Sequence, residues 1–369
     1  MLRIARRRTL SARIGKFPLT ELTAAMFLPE VSGPKMCELI ARIGRIDEFK
    51  GAWNAGRLSG LCNDRLLMLR DRAAVQSTAS ACRLAGRRIS DDDVASLLAA
   101  PSAALMNPGT RAVPGYRALL TRIHADDARA IPFSADTIAE LHARLFGEPV
   151  DRAPVSTVYT GAMSSPDIGE LVRATAQALD LKRDHPLLVI ARFIVAFLAM
   201  RLFPDGNGRV ASALATLLLA RQGYLHVAYA PLERVVEDHE ADYRAALERS
   251  LKDMRRSPNA FGPWALFFLG ALQVQQLRAG AVVDGERARL RLSEPQQRLL
   301  DFIRESAQAT TTTLAVRFDM PPRTLRYHLR TLADRGLVEA HGDYRGRHYT
   351  LPTATPVDET MVVKSPTRA

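Results

Sequence analysis

Residues 203–209 read Phe203-Pro204-Asp205-Gly206-Asn207-Gly208-Arg209, between two of the most apolar segments of the chain. Asp205 offers a hard carboxylate of the kind that binds Mg²⁺. Gly206, Asn207 and Gly208 can adopt backbone angles that turn successive N–H groups into one concavity, a nest for an anion. A helix opening directly after the loop adds its N-terminal dipole. Arg209 adds a permanently charged, forked donor suited to phosphate. Taken alone, the run is either a phosphate cradle or a tight turn between two core helices, so its surroundings decide.

Upstream, Leu187 to Met200 is apolar nearly all round and interrupted only by Arg192. It is too short for the ~20 residues that span a bilayer, and it is expected to be a buried central helix. Downstream, Val210 to Gln222 is expected to be a helix that stops at Gly223. Other helical periods start at Leu66, at Val94 behind a Ser90 N-cap, and at Ile138, with later ones over Tyr243–Met254 and Pro263–Leu277. Before residue 280 the one β-like run is Val155-Ser156-Thr157-Val158-Tyr159-Thr160, flanked by Pro154 and Gly161 and expected to form a small hairpin arm.

In this setting the segment from about Tyr116 to Leu247 resembles the Fic/Fido family. The matching pieces stand in family order: Gly115-Tyr116-Arg117-Ala118-Leu119, Ile138-Ala-Glu-Leu-His-Ala-Arg-Leu145, the 155–160 run as a flap, His185-Pro-Leu-Leu188, the buried helix, the 203–209 loop, and Tyr243-x-x-Ala-Leu247. The resemblance implies a Fic-type helical bundle with a short β-hairpin flap; with the small α/β winged-helix domain that the pattern of residues 287–352 gives, the expected fold class is mainly α. The resemblance also implies a site for ATP or a similar nucleotide with Mg²⁺, with Asp205 on the metal and Gly206, Asn207, Gly208 and Arg209 on the phosphates. Typical members transfer AMP to a target-protein hydroxyl. The flap, residues Val155 to Thr160, would hold that target by strand addition.

Two departures bear on activity. Aligning Phe203 and Asp205 to the family loop places Arg201 where the family carries its catalytic histidine, and Leu202 where it carries proline. A general base needs a neutral form near the operating pH. A guanidinium, with a pKa above about 12, has none. Arg201 can pair with a phosphate or a carboxylate instead. The usual second arginine, three residues after Arg209, is Ser212. Arg83–Val94 resembles the family's inhibitory-helix region, with the Ser/Thr position on Ala81 and the inhibitory glutamate position on Ala85. Base and brake are both missing. Among other histidines, His185 is expected to cap a helix, His124 and His142 to be structural on helical faces, and His226 has no assignable place.

From about Arg287 the pattern changes. Helices are expected over Pro295–Ser306, Thr311–Arg317 and Arg323–Arg335, followed by two short β-like runs around Gly342 and Gly346. That is the order of a winged helix-turn-helix. The third helix carries Arg323, Arg326 and Arg330 at i, i+3 and i+7, with Thr324 and Tyr327 also outward. Such helices enter the major groove of double-stranded DNA, and Arg345 and Arg347 on the wing suit phosphate or the minor groove. Residues 287–352 hold 12 arginines against seven acidic residues, a net charge of +5.

The expected organisation is an N-terminal helical region over 1–110, a Fic-like core over 111–278, a linker over 279–286, the winged helix over 287–352, and a Pro/Thr-rich disordered tail over 353–369. The whole chain of 369 residues carries 51 Lys+Arg against 39 Asp+Glu, a net +12 that favours an anionic partner. Three cysteines without CxxC spacing exclude a disulfide framework and suit a reducing cytoplasm. No membrane partner is expected, and a homodimer is one assembly left open. The leading function is a nucleotide- or partner-responsive, DNA-binding regulator. An active transferase with a non-standard base and a peptide-binding scaffold are the alternatives.

Overall fold

The computed structural model describes residues 27–58, 61–100, 110–124, 128–146, 165–306, 309–342 and 347–351. The expected flap at 155–160, Arg345 of the wing and the tail at 353–369 lie outside these residues.

Helices make up most of the described chain, and one of them organises the rest. The Pro186–Met200 helix has 13 of its 15 residues buried. Pro186 stands at its first turn, and His185 caps it by accepting the Leu187 N–H on Nδ1 at 3.3 Å. We number the helices in chain order: α1 Gly33–Ala52, α2 Asn63–Leu84, α3 Asp91–Ala99, α4 Ala112–His124, α5 Ala135–Leu145, α6 Ser165–Leu181, α7 Pro186–Met200, α8 Asn207–Arg221, α9 Leu232–Asp238, α10 Glu240–Asp253 and α11 Gly262–Leu290. Around α7, side chains from α1, α2, α4, α5, α6, α8, α10 and α11 share one apolar core. The N-terminal helices are therefore part of the same body as the loop-bearing helices.

Local chemistry sets several boundaries. Ser90 closes a reciprocal capping box with Asp93 at the start of α3. Gly115 lets α4 approach the end of α5 so closely that a Cβ there would lie 2.3 Å from the Leu145 carbonyl oxygen. A buried carboxyl ties three helices together: Glu233 of α9 accepts from Tyr116 Oη of α4 at 2.5 Å and from Ser77 Oγ of α2 at 2.7 Å. Burial pushes the Glu233 carboxyl above the ordinary carboxylate range.

The expected linker over 279–286 is a correction. Those residues continue α11, which runs unbroken for 29 residues, about 43 Å at 1.5 Å per residue. Gly280 and Gly285 suggest a break, but Ala279, Gly280 and Val283 are buried, and packing overrides glycine's weak helix propensity. Polar bonds fix the helix along its length. Gln273 accepts from Arg42 at 3.0 Å, Gln276 donates to the Ile46 carbonyl at 2.9 Å, and Gln275 donates to the Ala230 carbonyl at 2.8 Å. Among the described residues α11 is also the one helix long and apolar enough to cross a membrane, and 72% of its apolar window is buried within the protein.

Beyond α11 the chain turns over Arg291–Ser293 into a second, separate apolar core. It is built from α12 Glu294–Glu305, β1 Ala309–Thr310, α13 Thr311–Phe318, α14 Pro322–Asp334, β2 Glu339–His341 and β3 His348–Thr350. The strands form an antiparallel sheet in the order β1-β3-β2, with Ala340 opposite Tyr349. The sequence carries two β-like runs; the third strand, β1, is only two residues long, too short for an alternating pattern.

Candidate functional site: a loop at the start of a core helix

The segment that joins α7 to α8 is held in shape by its own polar groups. Asn207 accepts the Phe203 N–H at 3.0 Å and donates its amide to the Phe203 carbonyl at 2.6 Å, closing a five-residue loop with both ends of one side chain. Gly206 sits at φ +83°, and a Cβ there would come within 3.0 Å of Leu145 and 3.1 Å of Phe146. Glycine is required at this position both by backbone angle and by space. Beneath the loop, His142 stacks on Phe203 with centroids 3.9 Å apart and donates from Nε2 to the Asp205 carbonyl at 3.1 Å. His142 is thus structural, as expected, and it also props the loop. Sequence could not place that contact across 63 residues.

Asp205 is spread between two donors. Its carboxylate accepts the Gly206 N–H at 2.6 Å and the Arg209 guanidinium at 3.1 Å, while the side chain stays two-thirds exposed. Arg209 is buried and lies over the Phe146 ring at 5.2 Å. Its Nε is buried without a hydrogen-bond partner. The first N–H of α8 to reach an intrahelical carbonyl is that of Val210, on Gly206 O. The N–H groups of Asn207, Gly208 and Arg209 precede it and have no such acceptor, as at any helix start. A Cβ on Gly208 would meet nothing within 4 Å, so the space beside this turn is open.

That space is a cavity of about 830 Å³. Residues 204–209 line one side of it, together with Arg201 and Ser212. Ala81 and Ala85 line it from the end of α2. The opposite wall is aromatic where Tyr243 from α10 and Trp264, Phe267 and Phe268 from α11 meet, and charged farther along α10, at Glu240, Arg244 and Glu248. Burial raises the Tyr243 phenol above its ordinary value. The sequence reading missed this aromatic wall, because its members lie on the inner faces of two helices and read as plain core.

Arg201 occupies the left-handed region at φ 47°, ψ 52°, as the residue that ends α7. Its side chain is exposed and forms no hydrogen bond or ion pair within the described residues. Among those residues, no group of three or more His, Cys, Asp or Glu side chains gathers to hold a metal. A cation here would rest on Asp205 plus oxygens of a ligand, the pattern typical of Mg²⁺ on phosphates.

Residues 132–219 match the Fic/DOC family model. They form a Fic/DOC domain. Residues 294–341 match a helix-turn-helix domain. The chain is similar to a Fic family protein from Desulfovibrio desulfuricans at 18% identity, over 88% of this chain and 98% of that one, with a TM-score of 0.50. It is similar to a Fic domain-containing signaling protein from Bacteroides thetaiotaomicron at 17% identity, over 66% and 98% of the two chains, with a TM-score of 0.49. No curated protein matches it. The likeness to the Desulfovibrio protein, at 18% identity, establishes the fold alone. The Fic/DOC match ends within α8, so the aromatic wall from α10 and α11 lies outside it.

In the helix-turn-helix domain, Leu325, Leu329 and Leu332 of α14 face the core, and Arg323, Thr324, Arg326, Tyr327 and Arg330 are all exposed. Arg330 approaches Asp334 at 3.8 Å and stays 85% exposed. Arg347 at the base of the wing is exposed as well.

Proposed function

We propose that the chain is a regulator in which a Fic/DOC domain without its catalytic base binds a nucleotide with Mg²⁺ and thereby sets how the helix-turn-helix domain engages double-stranded DNA. The observation that carries this reading is α11. Its first turns, through Trp264, Phe267, Phe268 and Ala271, wall the cavity. Its last turn reaches the helix-turn-helix domain, where Arg289 pairs with Asp301 at 2.6 Å and Arg335 donates to the Arg291 carbonyl at 2.9 Å. A ligand that alters packing at one end of a continuous helix acts directly on the mounting of the domain at the other.

The residues at the loop suit a phosphate. Three backbone N–H groups, open space beside Gly208 and the Arg209 guanidinium converge there, and a base could stack against the aromatic wall. Bound Mg²⁺ would neutralise phosphate charge on the exposed oxygens of Asp205. A guanidinium carries donors and no acceptor, so residue 201 offers no base. Ala81 and Ala85 bring no carboxylate to the cavity, so α2 supplies no competitor for the loop arginine. The regulator is cytoplasmic in this reading, and its exposed α14 stripe reads base edges while Arg347 contacts phosphate.

The test starts from a random pool of double-stranded DNA, selected on the natural protein, followed by anisotropy titration of the enriched sequence. Arg323→Ala, Arg326→Ala and Arg330→Ala should each weaken binding by about 1–3 kcal/mol where a bidentate base contact is lost. Millimolar ATP with Mg²⁺ should shift the affinity of the natural protein. Unchanged affinity in all three variants would refute the DNA interface, and indifference to ATP would refute the coupling.

A further inference from the structure

We propose that Arg201 and Arg209 act as a pair of cationic jaws on the terminal phosphates of an intact nucleoside di- or triphosphate, which turns a transfer site into a receptor site. This rests on the nucleotide reading above and assigns the ligand class by its phosphate chain.

Four observations carry it. First, of the two cavity-lining arginines at the loop, Arg209 is held by Asp205 and Arg201 is uncommitted; on the far wall Arg244 is held by Glu240, while Lys252 and Arg255 are further exposed cations that lie on α10 or just past its end and not at the loop. Second, Arg209 alone is a weak answer to a phosphate chain. Its side chain is 7% exposed, and one guanidinium nitrogen is already on the Asp205 carboxylate. A di- or triphosphate carries about three or four negative charges, and charge-assisted forked contacts are the strong ones. Third, Ser212 brings no second cation from α8, and it lines the same cavity. Fourth, Arg201 ends α7 in a left-handed conformation that a long side chain rarely adopts. Such local strain persists where the surrounding structure imposes it, and it clusters at ligand clamps. Here it sets a long, free cation at the edge of the cavity beside an N-terminal helix turn.

The consequence is selectivity by phosphate number. Adenosine or AMP would use the aromatic wall and the α8 N–H groups and gain little from Arg201. ADP and ATP would engage it. With no group at residue 201 able to take a proton from an attacking hydroxyl, the bound polyphosphate stays whole, and occupancy itself becomes the signal.

Calorimetric titration of the full chain tests this, with adenosine, AMP, ADP with Mg²⁺, ATP with Mg²⁺ and inorganic tripolyphosphate as probes. The informative variant is Arg201→Gly, because glycine removes the guanidinium and accepts the left-handed backbone, so the fold is spared. Arg201→Lys returns a point charge without the fork. The natural protein should bind ATP and ADP more tightly than AMP. Arg201→Gly should lose at least about 10-fold in affinity for ATP, ADP and tripolyphosphate and keep that for adenosine, with Arg201→Lys between. ATP affinity that is equal or higher in Arg201→Gly, or a loss that is the same for adenosine as for ATP, overturns the clamp while leaving a nucleotide site standing. Absence of binding by the natural protein to every probe overturns the clamp and the nucleotide reading together.

Discussion

Replacing Asn207 with alanine should unpin the loop without touching the backbone donors that a phosphate would use. Two hydrogen bonds are lost, the Phe203 N–H to Oδ1 at 3.0 Å and Nδ2 to the Phe203 carbonyl at 2.6 Å. At about 1 kcal/mol net per bond the cost is about 2 kcal/mol. Because Phe203 is 3% exposed, water reaches the vacated groups poorly, which moves the cost towards 3 kcal/mol. Asn207→Asp should be as costly as alanine: it keeps the acceptor for the Phe203 N–H but sets a carboxylate oxygen against the Phe203 carbonyl. Trp53 and Trp264 are the two tryptophans, and both are buried in the Fic-side helices, so tryptophan fluorescence in a urea titration reads this body and not the helix-turn-helix domain. A body of this size should lose roughly 5–10 °C in thermal midpoint. A loss under about 0.5 kcal/mol for both variants, less than half of one ordinary hydrogen bond, would refute the role given to Asn207.

Gly206→Ala should destabilise by about 1–3 kcal/mol through its positive φ and its contacts with Leu145 and Phe146, whereas Gly208→Ala should leave the fold intact and reduce ATP affinity, because its new methyl fills open cavity space; equal unfolding midpoints for the two would contradict this. Gly285→Ala lies in α11 with no atom near the added Cβ and should stabilise by up to about 1 kcal/mol, whereas Gly285→Pro should break the helix at a cost of about 3 kcal/mol and abolish any effect of ATP on DNA affinity. His226 is enclosed by Phe49, Trp53 and Tyr224, and burial, helped by the Lys50 charge, drives its pKa down to about 3. The unfolded chain takes up this proton below about pH 6.5 while the folded chain does not, so stability falls as the pH drops from 6.5 towards 3, by at most about 2 kcal/mol at pH 5. His226→Phe should remove that share of the acid sensitivity, and an unchanged slope of stability against pH would count against it.

The loop, the buried helix before it, the capped α3 and the three-helix order of the C-terminal domain were legible because each rests on short-range rules. Turn glycines, N-caps and a 3.6-residue apolar period all act within a few residues. Two features were not legible. In α1 the buried face includes Arg42 between Leu39 and Ile46, and a charge at a core position erases the apolar period. Glu38, one turn earlier on the same helix, is a local partner, and only the fold supplies the other, Gln273 from α11. In α11 the opposite holds: burial against α1, α7 and α10 on several sides removes any single apolar stripe, and two glycines then read as a linker. The cavity was half legible. Its phosphate side is a contiguous motif, but its aromatic wall comes from residues 243–268, which meet the loop only through tertiary packing.

The central claim is that this Fic/DOC domain has kept a nucleotide site and lost its base. Transfer of label from α-labelled ATP with Mg²⁺ onto proteins of a cell lysate tests it most directly, with the natural chain and Arg201→His run side by side. The account predicts no label from the natural chain and label from the histidine variant. Label transferred by the natural chain would contradict it.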